Sequence, residues 1–308
     1  MGIGRTSALA AGVVVALSSA AAHAGSTYLA LGDSLGWGYS RYTADIRPSP
    51  GDQGYVALYA DYLGTLNAGV RPNLVNLSVP QETSASFFTG GQIGQLLNSN
   101  YPLVNPPTQH ELMLDTIADQ HAAGNTIDHV TVQLGVNDFL DLATPDFLDL
   151  PEDQQFGQIL VVFDRMIDNL TIVLDDLSTL APEADVRVMG YYNPYALFLD
   201  HPELDPSADG TGVAIAEIAD PISMLLNDVL GAVADDHAAA FVPVFDRFDG
   251  REQELTRITT LDLGSPNIHP TDAGYAEMAA ALIAVPAPGA GAVLTLAGVF
   301  TARRRRRA

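Results

Sequence analysis

Cysteine is absent from the chain, and so is lysine. The first absence means that no disulfide contributes to stability. The second leaves arginine as the sole cationic side chain, and six of the 14 basic residues, Arg5 and Arg303 to Arg307, lie at the two ends. Between those ends eight arginines face all 37 acidic residues. A surface of that kind repels nucleic acid and anionic membranes, argues against polyanionic substrates and favours solubility. It fits a saline habitat, where ions screen the self-repulsion, and equally an ordinary acidic exported protein. No internal repeat and no linker-like stretch breaks the chain, and its histidines lack metal-binding spacing: His110, His121, His129, His201 and His237 are scattered. No cofactor is expected. The acidic stretch Asp200 to Asp209 reads either as a calcium loop or as a solvated surface loop.

The ends read as address labels. Residues 1–24 carry Arg5, an apolar run from Ala8 to Ala22 and an Ala22-His23-Ala24 site, the pattern of a secretory signal peptide cleaved after Ala24. At the other end Val285-Pro286-Ala287-Pro288-Gly289 precedes a mostly apolar run from Ala290 to Ala302 and then five arginines. Thirteen helical residues cover about 20 Å, short of the roughly 30 Å hydrocarbon layer, so this tail is at best a marginal span with its arginines on the cytoplasmic side. The layout predicts a signal peptide over 1–24, one domain over 25–285 and a sorting or anchor tail over 286–308, with a secreted or cell-surface destination and transient membrane contact through the tail.

Within the domain, strand-like apolar runs recur at Tyr28 to Leu31, Leu74 to Leu77, His129 to Leu134, Val186 to Met189 and Ala240 to Val244. Amphipathic stretches of helical length alternate with them: Tyr55 to Leu66, Glu111 to Ala123, Asp153 to Leu180, Val213 to Asp236 and, after Pro270, Asp272 to Ile283. Pro182 and Pro221 are expected to break or kink their helices. Alternation of this kind predicts parallel βαβ units and a three-layer α/β/α sandwich.

Chemistry gathers at the strand ends. The first run stops in Gly32-Asp33-Ser34-Leu35, where Gly32 permits a sharp turn and Ser34 reaches the carboxyl edge of the sheet. The second is followed by Ser78-Val79-Pro80-Gln81-Glu82, the third by Gly135-Val136-Asn137-Asp138, and the last helix is preceded by Asn267-Ile268-His269-Pro270-Thr271-Asp272-Ala273-Gly274-Tyr275. In a parallel sheet these turns share one edge, so Ser34, Gln81, Asn137 and His269 are predicted to converge. A serine hydroxyl is a weak nucleophile until an imidazole takes its proton.

With these blocks in view the chain resembles the GDSL, or SGNH, hydrolases over about residues 26–284. The resemblance implies a five-stranded parallel sheet of flavodoxin-like type, Ser34 as nucleophile, His269 as general base and then acid, and an oxyanion hole made by the Ser34 backbone N–H, the Asn137 amide and the block-two backbone N–H. That last position is glycine in the family and Gln81 here; its donor survives provided the site does not demand positive φ. Most members also carry Asp three residues before the histidine, where this chain has Pro266. The Pro266 carbonyl is the expected orienter of the imidazole, as in family members that work as a Ser-His dyad, with Asp262 the runner-up and Asp272 assigned to helix capping. Tyr191, Tyr192 and Tyr195 are expected to line a substrate pocket or to pack in the core. The tail resembles PEP-CTERM sorting signals, with Ala287 in place of the usual Glu, which implies an exosortase-like processing partner. The implied function is an exported ester hydrolase acting on a small-molecule or lipid ester; the alternatives are a carbohydrate deacetylase and a non-catalytic surface protein that binds extracellular polysaccharide.

Overall fold

Five strands form a single parallel sheet in the order β2-β1-β3-β4-β5. In the computed structural model, which describes residues 25–39 and 51–286 apart from 141, 143, 209 and 263, these are β1 (Ser26–Gly32), β2 (Asn73–Asn76), β3 (Thr126–Gln133), β4 (Asp185–Met189) and β5 (Ala240–Val242). The expected signal peptide and sorting tail lie outside the described residues, save for the tail's first residue. Tyr28, Leu29, Ala30 and Leu31 are all fully buried. Such a continuous apolar run is what a strand covered on both faces requires.

The principal helices are α1 (Ser34–Trp37), α2 (Gly54–Leu66), α3 (Gln109–Ala122), α4 (Val136–Leu140), α5 (Glu152–Leu180), α6 (Thr211–Asp236) and α7 (Asp272–Ala284). Helix α2 packs against α7, and α5 against α6. A capping box of Thr108 and Glu111 starts α3 two residues before the apolar pattern suggests. Pro182 lies beyond the end of α5, as a helix breaker should, whereas α6 runs through Pro221 without interruption. The expectation of a break there is therefore corrected: packing of the buried stripe that includes Ile215, Leu226 and Leu230 outweighs one missing backbone hydrogen bond.

Strand order is what places the site. The chain leaves β1 for β2 on one side and returns across it to β3 on the other, so β1 is the point where the order reverses. At such a point the loops after two adjacent strands diverge and leave a crevice at their carboxyl ends. Ser34 follows β1 and Asn137 follows β3, so both stand at that crevice.

A second fastening closes the opposite edge. Arg187 on β4, almost wholly buried, donates to the Asp185 carboxylate, to the Leu282 carbonyl and, at 2.9 Å, to the Val285 carbonyl. Its guanidinium also lies 5.4 Å from the centre of the Tyr59 ring of α2. One cation thus satisfies the open carbonyls at the end of α7 and ties both helices to the sheet. Substituting Arg187→Met should lower stability by about 3 kcal/mol, because two carbonyls lose their donor and Asp185 is left with His129. The midpoint of urea unfolding measures this, and an unchanged midpoint would refute the clamp.

Candidate active site

The nucleophile's turn is built from the inside. Gly32 has φ +147, and a Cβ there would approach the Gln133 carbonyl oxygen to 2.5 Å, so only glycine lets β1 end this close to β3. Asp33, fully buried, caps α1: its carboxylate accepts from the Leu35 N–H at 2.8 Å and from the Tyr191 hydroxyl at 2.7 Å. Burial pushes its pKa up to about 7 against the pull of those two hydrogen bonds. Ser34 is thereby fixed as the first residue of the helix, with 8% of its surface exposed.

His269 comes from the segment before α7, which is zipped onto residues 255–260 by the Arg257 N–H to His269 carbonyl, Asn267 N–H to Thr260 carbonyl and Thr271 N–H to Leu255 carbonyl bonds. Its Nε2 lies 3.1 Å from Ser34 Oγ. Its Nδ1 lies 2.9 Å from Asn267 Oδ1, and the same oxygen accepts the His269 backbone N–H at 3.1 Å. That backbone donor decides the tautomer. An N–H needs an acceptor, so the amide oxygen faces the histidine; Nδ1 then carries the proton and Nε2 is free to accept from Ser34. The expected orienter, the Pro266 carbonyl, is replaced by the Asn267 side chain. Pro266 pairs with Leu261 in a two-stranded hairpin, β6 (Leu261–Asp262) and β7 (Ser265–Pro266), while Asn267 bends back on itself in an Asx-type turn. Asp262 lines the cleft and acts on the imidazole through space. Burial lowers the His269 pKa to about 4, opposed by the Asp262 charge. At neutral pH the ring is an unprotonated base.

Asn137, on α4, points its amide at the block-two loop and donates to the Glu82 carbonyl at 2.8 Å. An amide nitrogen has two hydrogens, so one remains for the cleft that Asn137 lines. Gln81 lines the same cleft with φ +70, in the left-handed region. The position thus does demand positive φ, contrary to the condition on which the donor is expected to survive the loss of glycine; glutamine nevertheless adopts that backbone, at a cost of about 1 kcal/mol. Ser34, Asn137, Gln81, Asp262 and His269 all border one cavity of about 270 Å³.

Gln109 was missed by sequence reasoning, since an internal Gln at a helix start carries no motif. It is fully buried, accepts from the Gly32 N–H at 2.6 Å, donates to the Gly32 carbonyl at 3.0 Å and reaches the Glu82 carboxylate at 3.0 Å. Glu82 also receives the Ser86 hydroxyl, and burial pushes its pKa up to about 7. Asp138 accepts from both the N–H and the hydroxyl of Ser84, at 2.7 and 2.8 Å. These buried contacts lock the block-two loop to β1 and to α4, hence the three strand ends to one another.

The tyrosines divide. Tyr191 serves Asp33 from below, while Tyr192 and Tyr195 border a smaller apolar cavity of about 80 Å³ that shares Leu140 and Ile268 with the cleft. Asp205 of the acidic loop accepts from Ser207 and Val213 and so folds that loop upon itself. His110, His129, His201 and His237 pair with carboxylates and do not line the cleft. Thr271 caps α7 and Asp272 occupies its first turn. Among the described residues no cluster of three or more His, Asp or Glu side chains suits a metal ion.

The family model described as GDSL-like lipase/acylhydrolase matches residues 28–282. Among solved structures, an extracellular lipase from Streptomyces rimosus is 22% identical, covering 85% of this chain and 100% of its own, with a TM-score of 0.53. Phospholipase A1 from Streptomyces albidoflavus is 20% identical with the same coverage and a TM-score of 0.52. A catalytic mutant of an acetylxylan esterase from Geobacillus stearothermophilus is 16% identical, covering 84% of this chain and 93% of its own, with a TM-score of 0.51. At such identities the likeness speaks for the fold. No curated protein matches the sequence.

Two outcomes follow from the geometry. With a neutral imidazole required and its pKa at about 4, kcat/KM should hold as pH falls and drop only near pH 4. Asn267→Asp places a carboxylate at Nδ1, stabilises imidazolium and should move that acid limb to higher pH, whereas Asn267→Leu should cut kcat on the order of 10²-fold without moving it. Coincident profiles for the wild type and Asn267→Asp would refute the assignment. Gln81→Gly should raise the melting temperature, relieving up to about 1 kcal/mol, while leaving the backbone donor in place; calorimetry showing a lower melting temperature would contradict this.

Proposed function

The chain belongs to the GDSL-like lipase/acylhydrolase family, and from that premise we propose that it is an exported carboxylic ester hydrolase that works through an acyl-enzyme on Ser34. The observation that carries the reading is the relay Ser34 Oγ, His269 Nε2, His269 Nδ1, Asn267 Oδ1, with contacts of 3.1 and 2.9 Å. In it Ser34 attacks the ester carbonyl as its proton passes to Nε2. The oxyanion of the tetrahedral intermediate is received by the backbone N–H of Ser34, the free amide hydrogen of Asn137 and the backbone N–H of Gln81. Imidazolium then protonates the leaving alkoxide, and a water activated by the same nitrogen releases the acid. An amide rather than a carboxylate behind the ring fixes its orientation but stabilises imidazolium less, consistent with the low pKa.

The cleft wall favours an apolar acyl group: Leu97, Leu140 and Ile268 face the same cavity as Ser34. The named neighbours are a phospholipase A1, a lipase and an acetylxylan esterase, so acetate, butyrate and octanoate esters are the probes that separate a deacetylase from a lipid esterase. Export is proposed from the signal-peptide pattern of residues 1–24. Processing of the tail by an exosortase-like enzyme is proposed from the layout of residues 286–308.

Hydrolysis of p-nitrophenyl acetate, butyrate and octanoate in low and high salt tests the activity. Ser34→Ala should lower kcat by more than about 10³-fold, and Asn137→Ala by about 10²- to 10³-fold with little change in KM. Mass spectrometry should find a fluorophosphonate adduct on Ser34. Turnover that survives Ser34→Ala would exclude the acyl-enzyme.

A further inference from the structure

The longest stretch of the chain without an Asp, Glu, Lys or Arg runs from Thr83 to His110, in a protein otherwise crowded with carboxylates. The structure places the 3₁₀ turn at its middle beside the cleft. Ile93 and Leu97 line the cavity that holds Ser34, yet are themselves 71% and 51% exposed. Leu96 on the same 3₁₀ turn (Ile93–Leu97) is also exposed, and Leu103 and Val104 each show 76% of their surface to solvent.

These side chains are not exposed for want of structure. Gln95 Nε2 closes the loop onto the Pro107 carbonyl at 2.8 Å. Asn98 Nδ2 donates to the Asn76 and Ser78 carbonyls, both at 2.9 Å, and the Tyr101 hydroxyl to the Leu77 carbonyl at 2.7 Å. Gly94 lies so close to the block-two loop that a Cβ would meet the Pro80 oxygen at 2.1 Å. A buried polar base therefore holds large apolar side chains out in water, where their exposure is unfavourable relative to burial. The base also joins them to the wall of the cleft.

We propose that residues 93–104 form a docking surface for an electrically neutral lipid–water interface, against which the mouth of the cleft is applied. The argument for this occupant is charge and continuity. The carboxylate excess of the rest of the molecule repels an anionic surface. The docking stretch offers no charge to pair with a charged partner, and two of its exposed apolar residues, Ile93 and Leu97, also line the cavity beside the nucleophile. Shallow insertion of such side chains into the headgroup region supplies the binding energy. The purpose of this surface rests on the ester-hydrolase reading, with lipid esters as the substrate class; its existence does not.

Because the chain has no cysteine, single labels are unambiguous. Full-length Leu103→Cys and, as a control, Val70→Cys, in the exposed connection between α2 and β2 at the opposite edge of the sheet, are labelled with a solvatochromic fluorophore. Each is titrated with phosphatidylcholine vesicles. The label at 103 should shift to the blue and the label at 70 should not; replacing part of the lipid with phosphatidylglycerol should weaken the shift at low salt. In a second measurement, Leu96→Ser/Leu103→Ser/Val104→Ser should keep p-nitrophenyl acetate turnover within about twofold and lose about tenfold on a vesicle-borne ester. No shift at 103, or equal shifts at both positions, would overturn the proposal. So would a shift at 103 that grows with protein concentration in the absence of lipid, which would mark a second copy as the occupant. Absence of p-nitrophenyl acetate turnover together with a blue shift at 103 would overturn the hydrolase reading and leave the docking surface standing.

Discussion

Everything at the site depends on the reversal of strand order at β1. Because β2 lies on one side of that strand and β3 on the other, three loops that are remote in sequence open onto one crevice. Topology alone brings them near; it does not fix them to a fraction of an ångström. That is done by buried side chains that treat neighbouring backbone as a partner: Gln109 on Gly32 and Glu82, Ser84 on Asp138, and Asn137 on the Glu82 carbonyl. A polar network of this kind is favourable only when its members are satisfied, and here the satisfied members are those that hold the catalytic loops in register.

The electrostatics follow the same division. Three carboxyl groups, Asp33, Glu82 and Asp138, are buried beneath the cleft of an already acidic protein. Burial favours the protonated form of the first two, and each is surrounded by hydroxyl and amide partners rather than by cations. Asp138 instead draws on two donors of Ser84 and on Arg165 at 3.6 Å. The imidazole above them is kept neutral by its own burial, and the neutral amide of Asn267 orients it without adding another charge. The site thus uses hydrogen-bond direction where related chemistry uses a carboxylate.

How much of this was legible in the sequence depended on range. The buried strand Tyr28 to Leu31, the glycine turn after it and the alternation of strands and helices are local patterns, and they give the fold and the convergence of Ser34, Asn137 and His269 at one edge. Asn267 stands within the motif around His269, but its side chain bonds two groups of His269 only because the backbone turns there, and the family resemblance pointed to the Pro266 carbonyl instead. Gln81 was recognised as a departure and the family's glycine raised the question of positive φ there, but glutamine itself carries no mark of a left-handed backbone, so the answer came only with the structure. Gln109 acts across 77 positions of sequence, and no local window contains both ends of its bonds. Pro221 does not break α6; a propensity argument does not see the buried stripe that carries the helix through it.

The Arg187 clamp has a mechanical meaning. His269 stands just ahead of the first turn of α7, and Leu282 and Val285, whose carbonyls Arg187 grips, stand at its last. Pulling Leu282 and Val285 away from β4 therefore means breaking the bonds of a buried cation. The last turn of the helix that follows the imidazole is thereby fixed to the sheet by the same cation that holds α2.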